Sequence, residues 1–251
     1  MKKIGVCNNK GGVGKTTICF CLAGALAEMG NKVLVVDMDQ QGSLSSSFLP
    51  SIHDLPCVIS EILLDGSRPI TDCIHKTEYD LIDIAPANLS LGRIEAELLS
   101  ERDSHYYLAD KVGEIDGDYD VVLFDCPPNL GIATWSVLIA SEGIIIPLEA
   151  QDYSVKGTGY VHDVVAKVRR RANPQLKLLG YLINRFDSRR RVEKDFRRVI
   201  EKKLGDKVFK QVLKDSVKYV ECITVKKPIT FFDPGGEHAQ AFRELAREVL
   251  S

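Results

Sequence analysis

The sequence predicts an α/β protein with a doubly wound, mostly parallel sheet and helices on both faces. Two observations indicate this fold: short apolar runs alternate with longer amphipathic stretches, and the runs are continuously apolar. Continuous apolar runs are typical of strands that are covered on both faces. The chain has 251 residues with no internal repeat and no linker, so we expect a single domain over residues 1–251.

The order of the elements supports this fold. The predicted strands are Ile4–Cys7, Lys32–Asp37, Tyr79–Ile84, Asp120–Asp125, Gly143–Leu148 and Leu178–Asn184. The predicted helices are Thr16–Met29, a short one at Ile59–Leu64, Leu91–Leu99, Tyr106–Val112, Thr134–Ala140, Gly159–Ala172, Val192–Leu204 and Ala239–Leu250. Because strands and helices alternate, parallel pairing with right-handed crossovers is the expected topology.

Composition excludes several classes of protein. A hydrophobic content of 45% excludes a disordered chain, and no apolar run of about 18 residues predicts a membrane span. The chain opens without a signal-peptide pattern, so we expect a cytoplasmic protein. Seven cysteines without a Cys-x-x-Cys pair predict reduced thiols rather than disulfides or a zinc site. Lys and Arg number 33 and Asp and Glu 35, and the net charge of −2 by itself argues against a nucleic-acid partner.

A glycine-rich motif follows the first predicted strand and opens the first predicted helix. Its residues are Lys10, Gly11, Gly12, Val13, Gly14, Lys15, Thr16 and Thr17. Glycines let backbone N–H groups approach phosphate oxygens, and the helix N-terminus adds its positive end. Lys15 can then reach the β- and γ-phosphates, the Thr16 hydroxyl can ligate Mg²⁺, and Thr17 is placed for the α-phosphate. The motif predicts a P-loop nucleoside triphosphatase.

The motif departs from the common phosphate-loop pattern at one position. The first glycine of that pattern falls on Asn9, and a second lysine, Lys10, stands at the start of the loop. Two other strands end in carboxylates: Asp37 and Asp39 follow the second strand, and Asp125 ends the fourth. Ligands of doubly wound sheets bind at the carboxyl ends of the strands, so we expect these segments to converge. Asp125 suits contact with a hydrated magnesium ion.

With these motifs the chain resembles the ParA family of DNA-partitioning ATPases, in the wider group that includes MinD, and specifically the small form without an N-terminal helix-turn-helix domain. Lys10–Thr17 is similar to the deviant Walker A motif of the family. Asp37–Gly42 is similar to its first switch, normally Asp-x-Asp-Pro-Gln-Gly, although Gln40 replaces the proline. Asp125–Pro128 is similar to its Walker B motif and second switch.

The resemblance implies a mechanism with ATP and Mg²⁺ as cofactors. Two subunits would enclose two ATP molecules, and Lys10 would reach the phosphates bound by the partner subunit. Lys15 would act with Lys10 in catalysis, and Asp39 would position the attacking water. The Mg²⁺ residues would be Thr16, Asp37 and Asp125. Asn184 would hydrogen-bond adenine, although Lys214 and Ser216 stand where the family often has Pro and Asn near the base.

The charge of the chain is unevenly distributed. Residues 185–227 contain 15 basic and 7 acidic residues, so this segment carries +8 and the remainder −10. Such a patch is the footprint of a phosphate-binding surface, and the total of −2 therefore carries no weight against DNA. By resemblance, Arg189 and Lys218 match positions that bind DNA without sequence preference. Arg190, Arg191 and Arg198 are expected to help, and a ParB-type protein on the nucleoid is the expected partner.

Other members of the fold give alternative functions. A MinD-like membrane ATPase needs a basic amphipathic helix after the last packed helix, and we expect none because the sequence ends at Ser251. A reductase with a shared iron–sulfur cluster needs paired cysteines, and Cys126 has no matching partner in the sequence. An ATPase that positions another cargo stays open, because the fold and the ATP site do not name the cargo.

Overall fold

The computed structural model describes residues 1–98, 101, 103–149 and 155–251. Its strands are β1 (Lys2–Val6), β2 (Val33–Asp37), β3 (His75–Lys76), β4 (Ile82–Ala85), β5 (Val121–Asp125), β6 (Gly143–Glu149) and β7 (Lys177–Asn184). Its helices are α1 (Lys15–Glu28), α2 (Ser43–Phe48), α3 (Ile59–Leu64), α4 (Arg93–Glu97), α5 (Tyr107–Gly113), α6 (Ile132–Ala140), α7 (Val155–Arg171), α8 (Arg191–Leu204), α9 (Lys218–Thr224), α10 (Ile229–Phe232) and α11 (Glu237–Leu250).

The strands form one sheet in the order β3-β4-β2-β5-β1-β6-β7. All neighbouring strands are parallel except β3 and β4, which are antiparallel. The predicted doubly wound, mostly parallel sheet is confirmed. The edge strand β3 was not predicted, because two residues are too few to show a periodic pattern.

Helices cover both faces of the sheet. On one face a hydrophobic cluster includes Val137 of α6 and Val165 of α7. On the other face a second cluster includes Leu22 of α1 and Phe242 of α11. Both faces of the parallel strands are therefore buried, which explains why their sequences are continuously apolar. None of the described helices is long and apolar enough to cross a membrane.

Several element boundaries differ from the prediction. The strand predicted from Tyr79 begins at Ile82, because Thr77 Oγ1 donates to the Ile82 carbonyl oxygen at 2.6 Å and closes a turn. The helix predicted at Leu91–Leu99 is a 3₁₀ turn followed by the short α4, and Leu99 lies outside the described residues. The short helices α2, α9 and α10 were missed, since four to seven residues give little helical periodicity.

Strand register brings the polar strand ends together. Asp125 at the end of β5 pairs with Val6 of β1 on one side and with Asp37 of β2 on the other. Farther along the same edge, Glu149 at the end of β6 pairs with Asn184 at the end of β7. The phosphate loop leaves β1 between these two pairs, so the carboxyl edge of the sheet holds the candidate site.

Candidate nucleotide-binding site

The phosphate loop joins β1 to the N-terminus of α1. Gly12 and Gly14 have φ angles of 78° and 90°, in the left-handed region that favours glycine. A Cβ on Gly14 would also lie 2.4 Å from Asn184 Nδ2, so this position has no room for a side chain. The first turn of α1 contains no acidic residue, so its free N–H groups and positive dipole end are available to an anion.

Two side chains of the loop, Lys15 and Thr16, are positioned to bind phosphate and metal. Lys15 is buried, and its Nζ donates to the Lys10 carbonyl oxygen at 3.1 Å. Within the described part of the chain no carboxylate pairs with Lys15, so its charge is available to phosphate oxygens. Thr16 Oγ1 donates to Asp125 Oδ2 at 2.6 Å, which links the loop to the end of β5.

The two strand-end carboxylates are completely buried side by side. Asp37 accepts hydrogen bonds from the Ser45 N–H at 2.9 Å, the Ser45 hydroxyl at 2.7 Å and the Asp39 N–H at 3.1 Å. Burial raises the pKa of Asp37 to about 6 despite these bonds. Burial, together with the nearby Asp37, raises the pKa of Asp125 well above its usual range, and Asp125 Oδ1 has no hydrogen-bond partner. A cation at this edge would relieve both groups, so the residues fit magnesium.

The first and second switch segments meet beside these carboxylates. Asp39 is half-buried, and its Oδ1 accepts a hydrogen bond from the Gln41 N–H at 3.0 Å. Asp39 and Gln40 line a cavity of about 250 Å³ together with Pro127–Asn129. The side chain of Gln40, which replaces the family's proline, lies against Gly92, where an added Cβ would be 2.3 Å from Gln40 Oε1.

A small cavity on the other side of the loop lies where the adenine base is expected. It measures about 100 Å³, and its lining includes Gly14, Thr17, Asn184, Asp215, Ser216 and Tyr219. Asn184 is buried, and its Nδ2 donates to the Val13 carbonyl oxygen at 2.8 Å. Lys214 instead forms an ion pair with Glu237 on the surface. Of the two departures from the family near the base, only Ser216 lines the cavity.

Lys10 forms an ion pair within its own chain. Its Nζ lies 2.7 Å from Glu149 Oε2, and Arg185 Nη1 lies 3.2 Å from Glu149 Oε1. The sequence analysis missed both Glu149 and Ser45. Glu149 ends a strand at the same edge as Asp37, so the rule that identified Asp37 could have found it. Ser45 lies in a serine-rich stretch whose sequence contains no recognisable motif.

The five predicted DNA-binding residues lie beyond β7, outside the nucleotide pocket. Arg189 pairs with Asp187 at 2.9 Å, and Arg190 pairs with Glu193 at 3.1 Å. Lys218 pairs with Asp233, and Arg198 lies 3.5 Å from Asp195. In the described residues Arg191 alone of the five has no ion pair. The cations of this group therefore differ in how freely they can meet a phosphate.

A cavity of about 680 Å³ lies at the opposite edge of the sheet, near Lys2, Lys177 and Glu248. It is larger than the spaces around the phosphate loop, but its lining mixes both signs of charge and contains no glycine-rich loop or paired strand-end carboxylate. The candidate site is therefore chosen by its side-chain chemistry and not by cavity size.

Comparisons with known proteins show the family to which the chain belongs. The model of the AAA domain family AAA_31 matches residues 1–178. The chromosome partitioning protein ParA of Myxococcus xanthus is 32% identical, with 98% of this chain and 86% of the relative covered. The sporulation initiation inhibitor protein Soj of Bacillus subtilis is 32% identical, with 100% and 98% covered. A solved structure of cobyrinic acid a,c-diamide synthase from Mycobacterium smegmatis, with a bound ATP analogue and magnesium, is 32% identical with a TM-score of 0.88 and covers 100% of this chain and 94% of its own. The chain belongs to the ParA-type partition ATPases of the AAA_31 domain family.

Proposed function

We propose that this protein is a magnesium-dependent ATPase that dimerises around ATP, binds DNA without sequence preference and segregates chromosomes or plasmids. A ParB-type protein bound at a centromere site would stimulate its hydrolysis, and the protein would work in the cytoplasm on the nucleoid. The observation that carries the proposal is the hydrogen bond from Thr16 to Asp125, with Asp37 beside it. This contact joins the phosphate loop to the strand-end carboxylates, as magnesium–nucleotide chemistry requires.

The metal would be held mainly by groups that ATP and water supply. The described residues contain no group of three or more His, Cys, Asp or Glu side chains that could enclose a metal ion. Thr16 would therefore bind Mg²⁺ directly, and Asp37 and Asp125 would accept hydrogen bonds from its waters. The ion supplies charge neutralisation at the phosphates when it is bound.

The remaining residues act on phosphate, water and base. Gly11–Gly14 and the first N–H groups of α1 cradle the phosphates, and Lys15 neutralises their charge. Asp39 orients the attacking water. Lys10 leaves Glu149 and reaches the phosphates of the partner subunit, where it stabilises the charge that develops during transfer. Asn184 lies on the side of the pocket where the base binds, and it holds that side against the phosphate loop.

Two substitutions test this proposal together. Lys15→Ala should abolish ATP binding, whereas Asp39→Ala should bind ATP, dimerise and fail to hydrolyse it. Light scattering with Mg²⁺–ATP measures the dimer, and phosphate release measures turnover. Asp118→Ala changes an exposed aspartate just before β5, at the edge of the sheet opposite the phosphate loop, and is the control. Turnover by Asp39→Ala at the wild-type rate would exclude Asp39 as the residue that positions water.

The resemblance to a diamide synthase suggests a second activity, the ATP-dependent amidation of a carboxyl group. Taking the amide nitrogen from glutamine uses an accessible cysteine nucleophile in enzymes that follow the usual covalent route. All seven cysteines of this chain are buried, and burial raises the pKa of Cys19, Cys21 and Cys126. Because all seven thiols are buried, they do not suit attack on glutamine, and the geometry supports the partition function better than amidation. An ATPase that positions another cargo, MinD-like or otherwise, would differ by showing no DNA binding with ATP.

A further inference from the structure

Ser45 lies in the short helix α2, just after the first switch segment, and its side chain is completely buried. A serine hydroxyl has one proton to donate and two lone pairs that can accept. The Ser45 hydroxyl donates to Asp37 Oδ2 at 2.7 Å and accepts a hydrogen bond from the Ala87 N–H at 2.9 Å. This single side chain therefore connects the end of β2 with the segment that follows β4.

The hydrogen bonds of Ser45 leave the two oxygens of Asp37 in different states. Each oxygen of a carboxylate can accept about two hydrogen bonds. Oδ2 of Asp37 accepts from both the hydroxyl and the N–H of Ser45, so its capacity is filled. Oδ1 accepts from the Asp39 N–H at 3.1 Å, and it has no second donor within the described part of the chain. Only Oδ1 can therefore accept a further hydrogen bond.

This remaining capacity belongs to a carboxylate that adjoins the candidate magnesium site. Asp37 is the register partner of Asp125 across β2 and β5, and Asp125 Oδ2 accepts from the Thr16 hydroxyl at 2.6 Å. The waters around a bound ion are hydrogen-bond donors, and a carboxylate that receives them acts best when other groups fix its orientation. Ser45 supplies two of the three hydrogen bonds that fix Asp37.

We propose that Ser45 is a positioning residue for the magnesium site. Its hydroxyl holds Oδ2 of Asp37 against α2 and keeps Oδ1 available to a water of the hydrated ion. The proposal rests on the proposed function, in which Asp37 accepts hydrogen bonds from these waters. Because Ser45 is completely buried, it acts through Asp37 and does not touch the nucleotide or the ion itself.

A purely structural role is the alternative, because the same hydroxyl also supports the backbone at Ala87. Ser45→Ala leaves the Ala87 N–H without its partner, which lowers stability whether or not an ion is bound. The variant keeps the N–H of residue 45 and therefore the 2.9 Å hydrogen bond to Asp37 Oδ2. The two roles differ in one quantity, since only the positioning role changes how much Mg²⁺ strengthens nucleotide binding.

Ser47 provides a matched control in the same helix. Its side chain is also buried, and its hydroxyl donates to the Ser43 carbonyl oxygen at 2.8 Å. Ser47→Ala therefore removes a buried hydroxyl and one hydrogen bond from α2 without changing a hydrogen bond of Asp37.

The measurement is calorimetric titration of the full-length protein with a non-hydrolysable ATP analogue, once with Mg²⁺ and once with a chelator that removes it. The ratio of the two affinities is the contribution of the ion. We expect Ser45→Ala to lower this ratio roughly tenfold, as is typical when a group that orients a metal-site residue is lost, and to leave the affinity in the chelator unchanged. Ser47→Ala should match the wild type in both titrations.

The double variant shows whether Ser45 acts through Asp37. Asp37→Asn removes the charged acceptor, so adding Ser45→Ala to it should lower the ratio little further. A tenfold loss in that background as well would overturn the proposal. So would a wild-type ratio in Ser45→Ala, or an equal loss of affinity with Mg²⁺ and with the chelator, and both results leave the proposed function standing. A wild type that binds the analogue no more tightly with Mg²⁺ than without it would contradict the proposed function itself.

Discussion

The buried carboxylate of Asp125 should destabilise the protein in the absence of nucleotide. It is fully buried, its Oδ1 has no hydrogen-bond partner, and its pKa is raised by burial and by Asp37. Asp125→Asn keeps the size of the side chain and an oxygen to accept the Thr16 hydroxyl. It also replaces the unpartnered oxygen with a neutral amide. We expect the variant to be more stable than the wild type without ATP and to bind Mg²⁺–ATP far more weakly.

The size of the expected gain in stability follows from the pKa of the neighbouring carboxylate, Asp37. The pKa of Asp37 rises from 3.8 to about 6, and each pKa unit corresponds to about 1.36 kcal/mol, so its ionised form costs roughly 3 kcal/mol. Asp125 has the same complete burial and fewer hydrogen bonds. The amide that replaces it will lack a partner as well, which offsets part of the benefit. We therefore expect Asp125→Asn to raise the free energy of unfolding by about 1–3 kcal/mol at about pH 7.5.

The pH dependence separates this effect from ordinary packing changes. A carboxyl group with a raised folded pKa favours the folded state when protonated and opposes it when ionised. The wild type should therefore lose stability as the pH rises from about 3.8 through the raised pKa, whereas the amide of the Asp125→Asn variant does not titrate. Urea unfolding at several pH values measures the difference, which should vanish near about pH 4 and grow toward about pH 7.5. A less stable variant at the higher pH, or a difference independent of pH, would refute the reasoning.

Two further substitutions test the loop and its ion pair. Glu149→Gln removes one partly exposed ion pair of Lys10, worth about 0.2–1 kcal/mol, so about 1.4- to fivefold less ATP should suffice for dimerisation, measured by light scattering. A higher ATP requirement would show that Glu149 supports the dimer instead. Gly14→Ala places a Cβ against Asn184 at a φ of 90°. It should lower the free energy of unfolding, measured in urea, by about 1–3 kcal/mol and should also weaken ATP binding. Gly113→Ala, whose Cβ would meet nothing within 4 Å on the exposed end of α5, is its control and should stay close to the wild type in both measurements.

The sheet and the phosphate loop could be predicted because their signals are local. A strand buried on both faces must be apolar throughout, and a loop that approaches phosphate needs glycine where a Cβ would collide, as at Gly14. The convergence of Asp37 and Asp125 followed from a general rule about parallel sheets. The first two inferences need only a segment and its immediate neighbours along the chain, and the third needs only the topology of the sheet.

The unpredicted features depend on contacts between distant segments. Ser45 acts by donating to a carboxylate eight residues away across a turn, and Lys10 meets Glu149 across 139 residues. The pairing of Arg189 with Asp187 illustrates a different difficulty. Counting charges along the chain treated all cations of residues 185–227 alike, whereas availability for phosphate depends on which acidic groups folding brings within reach.

The candidate nucleotide pocket and the start of α8 are joined by one short segment. Asn184 donates to the phosphate loop through Val13, and the next residue, Arg185, contacts the carboxylate that holds Lys10. A few residues later Glu193, buried in the first turn of α8, accepts a hydrogen bond from the Asp187 N–H at 2.6 Å and pairs with Arg190. In the proposed dimer Lys10 would leave Glu149 for the phosphates of a partner subunit, which would change the ion pairing of Glu149, the carboxylate that Arg185 contacts. In that dimer, nucleotide binding would reach the start of α8 through contacts already present in the subunit, in addition to doubling the basic surface.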